Sequence, residues 1–175
     1  MSIPFLVANN NVSTGVTDTG SMYQITNGTY THTFTSNCTV YLTELDGAGG
    51  GASDGYGSAG LAGNGTASTI SIGGTLRESC AGGRGAVGSP TATPGTDGAV
   101  LVNNFSSTAT TGGALNGGLS DDGYTNGGNG ALATGGSYAA TSGQVLSVVV
   151  GKGGVHSGAS YNADGLDGIV DLTWG

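Results

Sequence analysis

Six stretches of the chain gather apolar residues at strand-like spacing, and none repeats them with a helical period. Tyr30-Thr31-His32-Thr33-Phe34 alternates ring-bearing residues with Thr, which places Thr on one face. Cys38 to Leu45 reads CTVYLTEL. Cys38, Val40, Leu42 and Glu44 share one face there, and Thr39, Tyr41, Thr43 and Leu45 share the other. Ser68 to Ile72 is a short alternating run closed by Gly73-Gly74, and Gly98 to Phe105 centres on Val100, Leu101 and Val102. Val145 to Val150 is a β-branched run between Gly143 and Gly151. Gly168 to Trp174 sets Ile169, Asp171 and Thr173 against Val170, Leu172 and Trp174. Such residues pack better on a pleated surface than on a helix, so the pattern predicts an all-β fold.

Between the strands lie long glycine-rich stretches. Gly47 to Gly65 reads GAGGGASDGYGSAGLAGNG, and others cover Gly82–Gly88, Gly112–Gly136 and Gly151–Gly158. Within them Gly recurs at every third residue: Gly57, Gly60, Gly63; Gly82, Gly85, Gly88; Gly95, Gly98; Gly165, Gly168. A three-residue period matches an extended three-fold helix, in which only Gly lets neighbouring backbones touch. The fold expected is therefore all-β, with short strands combined with glycine-rich three-fold (polyglycine II-like) segments. Gly60 and Gly85, inside these repeats, are expected to tolerate no side chain. The alternative is that the Gly/Ser stretches are flexible linkers. Against it, several long structureless loops inside one small domain would be unusual.

Composition narrows the function. Of 175 residues, 38 are Gly, and the only basic side chains are Arg77, Arg84 and Lys152, for a net charge of −8. No basic patch exists to neutralise phosphates, so no nucleic-acid partner is expected. No long apolar run exists for a membrane span. The opening MSIPFLVANN has no basic residue ahead of a short apolar stretch, which is not a secretory pattern. Cys38 and Cys80 are accordingly expected as free thiols. No metal or other cofactor is expected. The Asp164, Asp167 and Asp171 spacing is not that of a calcium loop, and these residues and Asp97 read as turn formers. His32 and His156 have no strained nucleophile turn to serve, and the GKGG run around Lys152 lacks the phosphate-loop spacing, so no enzymatic step is expected.

The candidate recognition residues are Tyr in Gly/Ser/Asn contexts: Tyr56 in SDGYGS, Tyr124 in SDDGYTN, Tyr138 in GGSYAAT and Tyr161 in GASYNAD. A Tyr ring offers a rigid apolar face and a hydroxyl. Asp121, Asp122, Asn126 and Asn162 stand beside these rings and could take hydroxyl hydrogen bonds. A solvated turn accounts equally well for the Asp121-Asp122 pair.

Three stretches carry a family resemblance: GTYTHTFTSNCTVYLTELDGAGGG (Gly28–Gly51), SGQVLSVVVGKGG (Ser142–Gly154) and DGLDGIVDLTW (Asp164–Trp174). Together they resemble the glycine-rich domains at the tips of bacteriophage tail fibres. They are more distantly similar to the distal adhesins of T-even-type long fibres. The first hairpin departs from the family in its turn, Thr35-Ser36-Asn37, where Pro and small residues are usual. Residues 1–27 do not match. The resemblance implies a virion protein in two parts: residues 1–27 as an attachment or docking segment for other fibre proteins, and 28–175 as the glycine-rich β domain. It implies a receptor on the bacterial surface, either polysaccharide or outer-membrane protein, with contacts in the loops between glycine blocks. Oligomeric state is left open. The alternatives are a structural virion protein, such as a head-decoration or fibre component, and, third, an ice-binding protein.

Overall fold

The computed structural model describes residues 18–53, 60–88, 92–120, 125–158 and 163–175, and every regular element among them is a β-strand. The strands are β1 (Gly20–Gln24), β2 (Gly28–Thr33), β3 (Cys38–Asp46), β4 (Ser68–Ile72), β5 (Thr75–Cys80), β6 (Val100–Asn103), β7 (Thr108–Thr110), β8 (Leu132–Thr134), β9 (Ser137–Ala140), β10 (Val145–Val150) and β11 (Val170–Trp174). They form two antiparallel sheets. One runs β1-β11-β3-β8-β7, with β9 also on β3, and the other runs β2-β10-β4-β5-β6. All six predicted stretches are strands. Of the expected attachment segment, residues 20–24 are β1, which pairs with β11 inside the first sheet.

The inner faces of the two sheets share one apolar core. Val40, Leu42, Leu45, Val170, Leu172 and Trp174 come from the first sheet, and Ile70, Ile72, Leu146, Val148 and Val150 from the second. The even-numbered residues of β11 are buried, as its alternation predicts. On β3 the alternation breaks. Leu42 faces Leu172 and Glu44 faces Asp171, so Thr43 is an extra residue on β3. This bulge reverses the facing of the residues beyond it, and Leu45, expected opposite Val40 and Leu42, joins them in the core. The β4–β5 hairpin turns on Gly73 and Gly74, both at positive φ (59° and 75°), the backbone a two-residue turn of this kind requires.

The strands missed in the sequence are β1, which buries none of its residues fully, β5, which buries polar ones, and β7, β8 and β9, which are three or four residues long. β5 (TLRESC) does not alternate apolar and polar because Glu78 is in the interior. Its carboxylate accepts the Phe105 N–H (3.3 Å) and the Ser107 hydroxyl (3.0 Å). Burial pushes its pKa up despite those bonds. Asp46, at the end of β3, is also buried, and its Oδ1 has no hydrogen-bond partner among the described residues. Desolvation, helped by the charge on Glu44, pushes it up to about 7. Cys38 and Cys80 are both free thiols, Cys80 fully buried.

Candidate functional site

At one end of the sandwich, seven strands continue directly into or out of glycine-rich stretches. Residues 47–53 follow β3, 81–88 follow β5 and 151–157 follow β10. Residues 60–66 lead to β4, 93–99 to β6, 125–131 to β8 and 163–168 to β11. An eighth stretch, 116–120, joins them through hydrogen bonds. Antiparallel pairing is what brings all these strand ends to one side.

The stretch 47–53 lies at the centre, and residues 45–53 are all buried. Its N–H groups go to three neighbours in rotation. Gly47, Gly50 and Ser53 donate to the carbonyls of Ala131, Gly128 and Thr125. Ala48 and Gly51 donate to Thr66 and Gly63, and Gly49 and Ala52 donate to Leu166 and Ala163. Its carbonyls accept from three others: Ala48 and Gly51 from Gly83 and Ala86, Gly49 and Ala52 from Gly154 and Ser157, and Gly50 from Gly118. Six stretches thus surround it, bonded backbone to backbone at about 2.8–3.1 Å. A sheet strand, with period two, bonds only to two sides. Further rungs tie the outer stretches together, including Gly65 to Gly83, Gly63 to Val155, Arg84 to Thr96 and Gly165 to Gly154.

The glycines are required by this approach. A Cβ built on Gly47, Gly49, Gly50, Gly83 or Gly130 would lie closer than 3 Å to the backbone of an adjacent stretch, which has no flexible end to move aside. Gly85 is the same, against the Ala62 carbonyl. Gly60 is not: its nearest neighbour would be the Ser157 hydroxyl at 3.8 Å, so the expectation that it tolerates no side chain is corrected.

Where the lattice lacks a backbone neighbour, a side chain takes that place. Asn116, buried, gives its Nδ2–H to the Gly47 carbonyl (2.7 Å) and accepts the Gly130 N–H (2.8 Å). Asn129 accepts the Gly117 N–H (2.9 Å) and Asn64 the Gly85 N–H (2.9 Å). Asp97, Asp164 and Asp167, expected as turn formers, accept the N–H groups of Asn129, His156 and Gly153 respectively. The His156 N–H and imidazole hold Asp164 below the usual carboxylate range. Burial would raise Asp167, but the bonds from Gly153 and Asn27 hold it low. Sequence reasoning missed these roles. The available signal was Asn placed inside a glycine block, as in LNGGL and TNGGNG.

Two of the expected recognition residues are described. Asn126 accepts the N–H (2.8 Å) and the hydroxyl (3.3 Å) of Ser120, so its side-chain oxygen closes the lattice. Tyr138 is on β9 rather than in a loop: it pairs with Val40, with its ring 5.8 Å from Phe105 and the Arg77 guanidinium 4.4 Å over it. Tyr56, Asp121, Asp122, Tyr124, Tyr161 and Asn162 lie outside the described residues.

Four connections join the stretches in pairs: 54–59, 89–91, 121–124 and 159–162. The described residues that flank them meet at one end of the lattice. Ser53 donates its N–H to the Thr125 carbonyl and its hydroxyl to Gly60, Ser157 donates to Ala52, and Ala163 donates to Leu119. Ala92, beside one connection, has φ of 27°, a backbone that L-residues seldom adopt. The first and last described residues, 18 and 175, lie on the other side of the molecule. β1 begins opposite Trp174, and Gly175 bonds to Thr39 at the start of β3. Asp18 is anchored there. The Thr35 N–H (2.6 Å), Trp174 Nε1 (3.0 Å) and His32 Nε2 (3.2 Å) hold its carboxylate low.

Among the described residues, no group of three or more His, Cys, Asp and Glu is placed to hold a metal. No family model, curated protein or solved structure matches the chain.

Proposed function

We propose that this chain is a virion adhesin or fibre-tip protein that binds a receptor on the bacterial surface, polysaccharide or outer-membrane protein, without an enzymatic step. The observation that carries the reading is polarity. The four connections leave and re-enter the lattice at one end, and residues 18 and 175 lie at the other. A receptor-binding tip needs this separation of an attached end from a displayed end. The glycine lattice would be the rigid support, built of three-fold, polyglycine II-like segments. The rotation of 47–53 hydrogen bonds through three neighbours supports that geometry. Contacts would be made by the side chains that the connections carry, Tyr56, Asp121, Asp122, Tyr124, Tyr161 and Asn162. Tyr is enriched among residues that dominate binding energy. Many copies on one particle would raise the effective concentration of each further contact.

The test is binding of the labelled protein to a panel of bacterial cells, beside Tyr56→Ala, Tyr124→Ala and Tyr161→Ala. On a strain that binds, at least one variant should lose affinity by tenfold or more, about 1.4 kcal/mol, with an unchanged melting temperature. Normal binding by all three variants places recognition elsewhere, and no binding to any strain removes the receptor role.

A further inference from the structure

Three of the outer stretches, 60–66, 81–88 and 93–99, lie side by side and form one wall of the lattice. Ala62 donates its N–H to the Ala86 carbonyl, Arg84 donates to Thr96, and Val87 and Thr93 each donate to the other. A cleft of about 260 Å³ is set in this wall. Leu61 and Asn64 line it from the first stretch, Arg84 and Val87 from the second, and Pro94 and Thr96 from the third. All six are exposed. The backbone rungs hold the three stretches at fixed spacing, and a Cβ on Gly85 or Gly95 would strike an adjacent backbone. The groups around the cleft are therefore positioned in advance of any ligand.

Arg84 is the group this wall leaves unmatched. The chain has three cationic side chains against eleven acidic ones. Arg77 stands over the Tyr138 ring, and Lys152 acts electrostatically on Asp164 and Asp167. Arg84 has neither a carboxylate nor a ring beside it among the described residues. Outside them the acids are Asp54, Asp121 and Asp122, and the connection 89–91 carries no charge. Arg84 lies level with Gly50, whose Cβ would meet its carbonyl. That is three residues, about 10 Å of extended chain, short of Ser53, beyond which 54–59 begins.

An occupant of this cleft needs an anion for Arg84 and an apolar face for Leu61, Val87 and Pro94. The N–H groups of residues 84–87 are all bonded already, so no peptide is added here as a strand. A phosphate, which draws on several donors, finds one guanidinium, whereas a carboxylate matches its fork with two parallel bonds. Asn64 gives its side-chain oxygen to the Gly85 N–H (2.9 Å), which leaves its NH2 to donate to a hydroxyl, and the Thr96 hydroxyl both donates and accepts. Carboxylate, ring hydroxyls and a saturated apolar face together describe a uronic acid. We propose that the cleft is a subsite for an acidic sugar: Arg84 holds the carboxylate of a uronic acid in a polysaccharide, Asn64 and Thr96 take its hydroxyls, and Leu61, Val87 and Pro94 take its C–H face. The subsite is on the wall of the lattice, so it does not rest on what the four connections bind.

The experiment is an NMR titration of the isotope-labelled full chain with an oligosaccharide of glucuronic acid and glucose, and with the same oligosaccharide after its carboxyl groups are reduced. With the acidic form, amide signals of residues 61–64, 84–87 and 93–96 should shift and saturate. The reduced form should bind at least about tenfold more weakly, and so should the acidic form to Arg84→Gln, since each removes a charge-assisted bond. Lys152→Gln, on another stretch, should bind as the full chain does. No saturable shift below about 10 mM overturns the proposal, and so does equal binding of the reduced form or saturation at other residues only. Equal binding of inorganic phosphate or of a tetraglutamate peptide would make the cleft a general anion site and overturn it as well. Binding that appears only in Asp54→Asn would show Arg84 already occupied within the chain. If Arg84→Gln melts early, the comparison of the two oligosaccharides on the unaltered chain decides.

Discussion

The sandwich and the glycine lattice are two halves of one chain held together in opposite ways. In the sandwich, side chains fill the space between two sheets, and the free energy comes from apolar surface removed from water. In the lattice there is almost no side chain to bury. Backbones approach until each N–H meets a carbonyl, and Asn or Asp side chains supply the partner where no backbone stands. The first half is damaged by removing atoms and the second by adding them. Because 47–53 is the direct extension of β3, the two halves share their central strand and should unfold together.

The sharpest way to break this comparison is to add one methyl. Gly50→Ala places a Cβ against the Arg84 carbonyl, where neither backbone can yield without losing its bonds. It should cost more than about 3 kcal/mol, the upper range for overpacking a core that can relax. In the sandwich, Leu172→Ala should cost about 2–5 kcal/mol by the reverse change. Gly60→Ala, with open space at its Cβ, should change the melting temperature by little. Thermal melts of the three decide the matter. If Gly50→Ala behaves like Gly60→Ala, the lattice is not close-packed.

A smaller effect should separate two asparagines. Asn116→Ala strands the Gly47 carbonyl and the Gly130 N–H in the interior, and each unsatisfied buried group costs about 1–3 kcal/mol. Asn126→Ala, half-buried, leaves only Ser120 groups that water can reach. Urea midpoints should fall clearly for the first and slightly for the second. Equal losses would mean that the side-chain partners of the lattice rank no differently from surface bonds.

The pH dependence should come from the junction of the two halves. Asp46 titrates at about 7 in the folded chain against 3.8 ordinarily. Between those values the folded state holds a proton that the unfolded state has released. Stability should therefore rise as pH falls from about 7 to about 4, by about 1.4 kcal/mol per unit where the difference is one whole proton. Glu78, also raised, acts in the same direction. Asp18, Asp164 and Asp167 are lowered, so their contribution is lost only below the ordinary carboxylate range. Denaturation midpoints from pH 4 to 8 should slope downward, and Asp46→Asn should flatten the curve by raising its neutral end. A midpoint that rises with pH over that window would contradict the buried, unpartnered state of Asp46.

The mildest probe is thiol chemistry. Burial, with the charges of Glu78 and Asp46 nearby, pushes the Cys80 thiol up to about 12, so it should not react with a thiol reagent until the chain unfolds. Cys38, half-buried on β3, should react slowly in the folded state. Equal rates for the two would show that β5 opens independently of the rest.

The hydrophobic pattern alone determined the all-β class, the strands β2, β3, β4, β6, β10 and β11, and the inward face of β11. Those features depend on local alternation, which any burial of one face of a strand requires. The three-residue glycine spacing also marked positions such as Gly85, where backbones touch. What only the tertiary structure decided was partnership. The extra residue at Thr43 turns Leu45 inward because β11 opposes it, which nothing in CTVYLTEL announces. Glu78 is interior because Phe105 and Ser107 supply donors from elsewhere in the chain. Gly60 and Gly85 look alike in sequence and differ in the distance to another stretch. Asn126 and Tyr138, both read as recognition residues, find partners in Ser120, Phe105 and Arg77. A residue's own preferences are written in its neighbours along the chain. The atoms that fill its remaining space come from residues tens of positions away, and they are fixed only when the sheets and the lattice assemble.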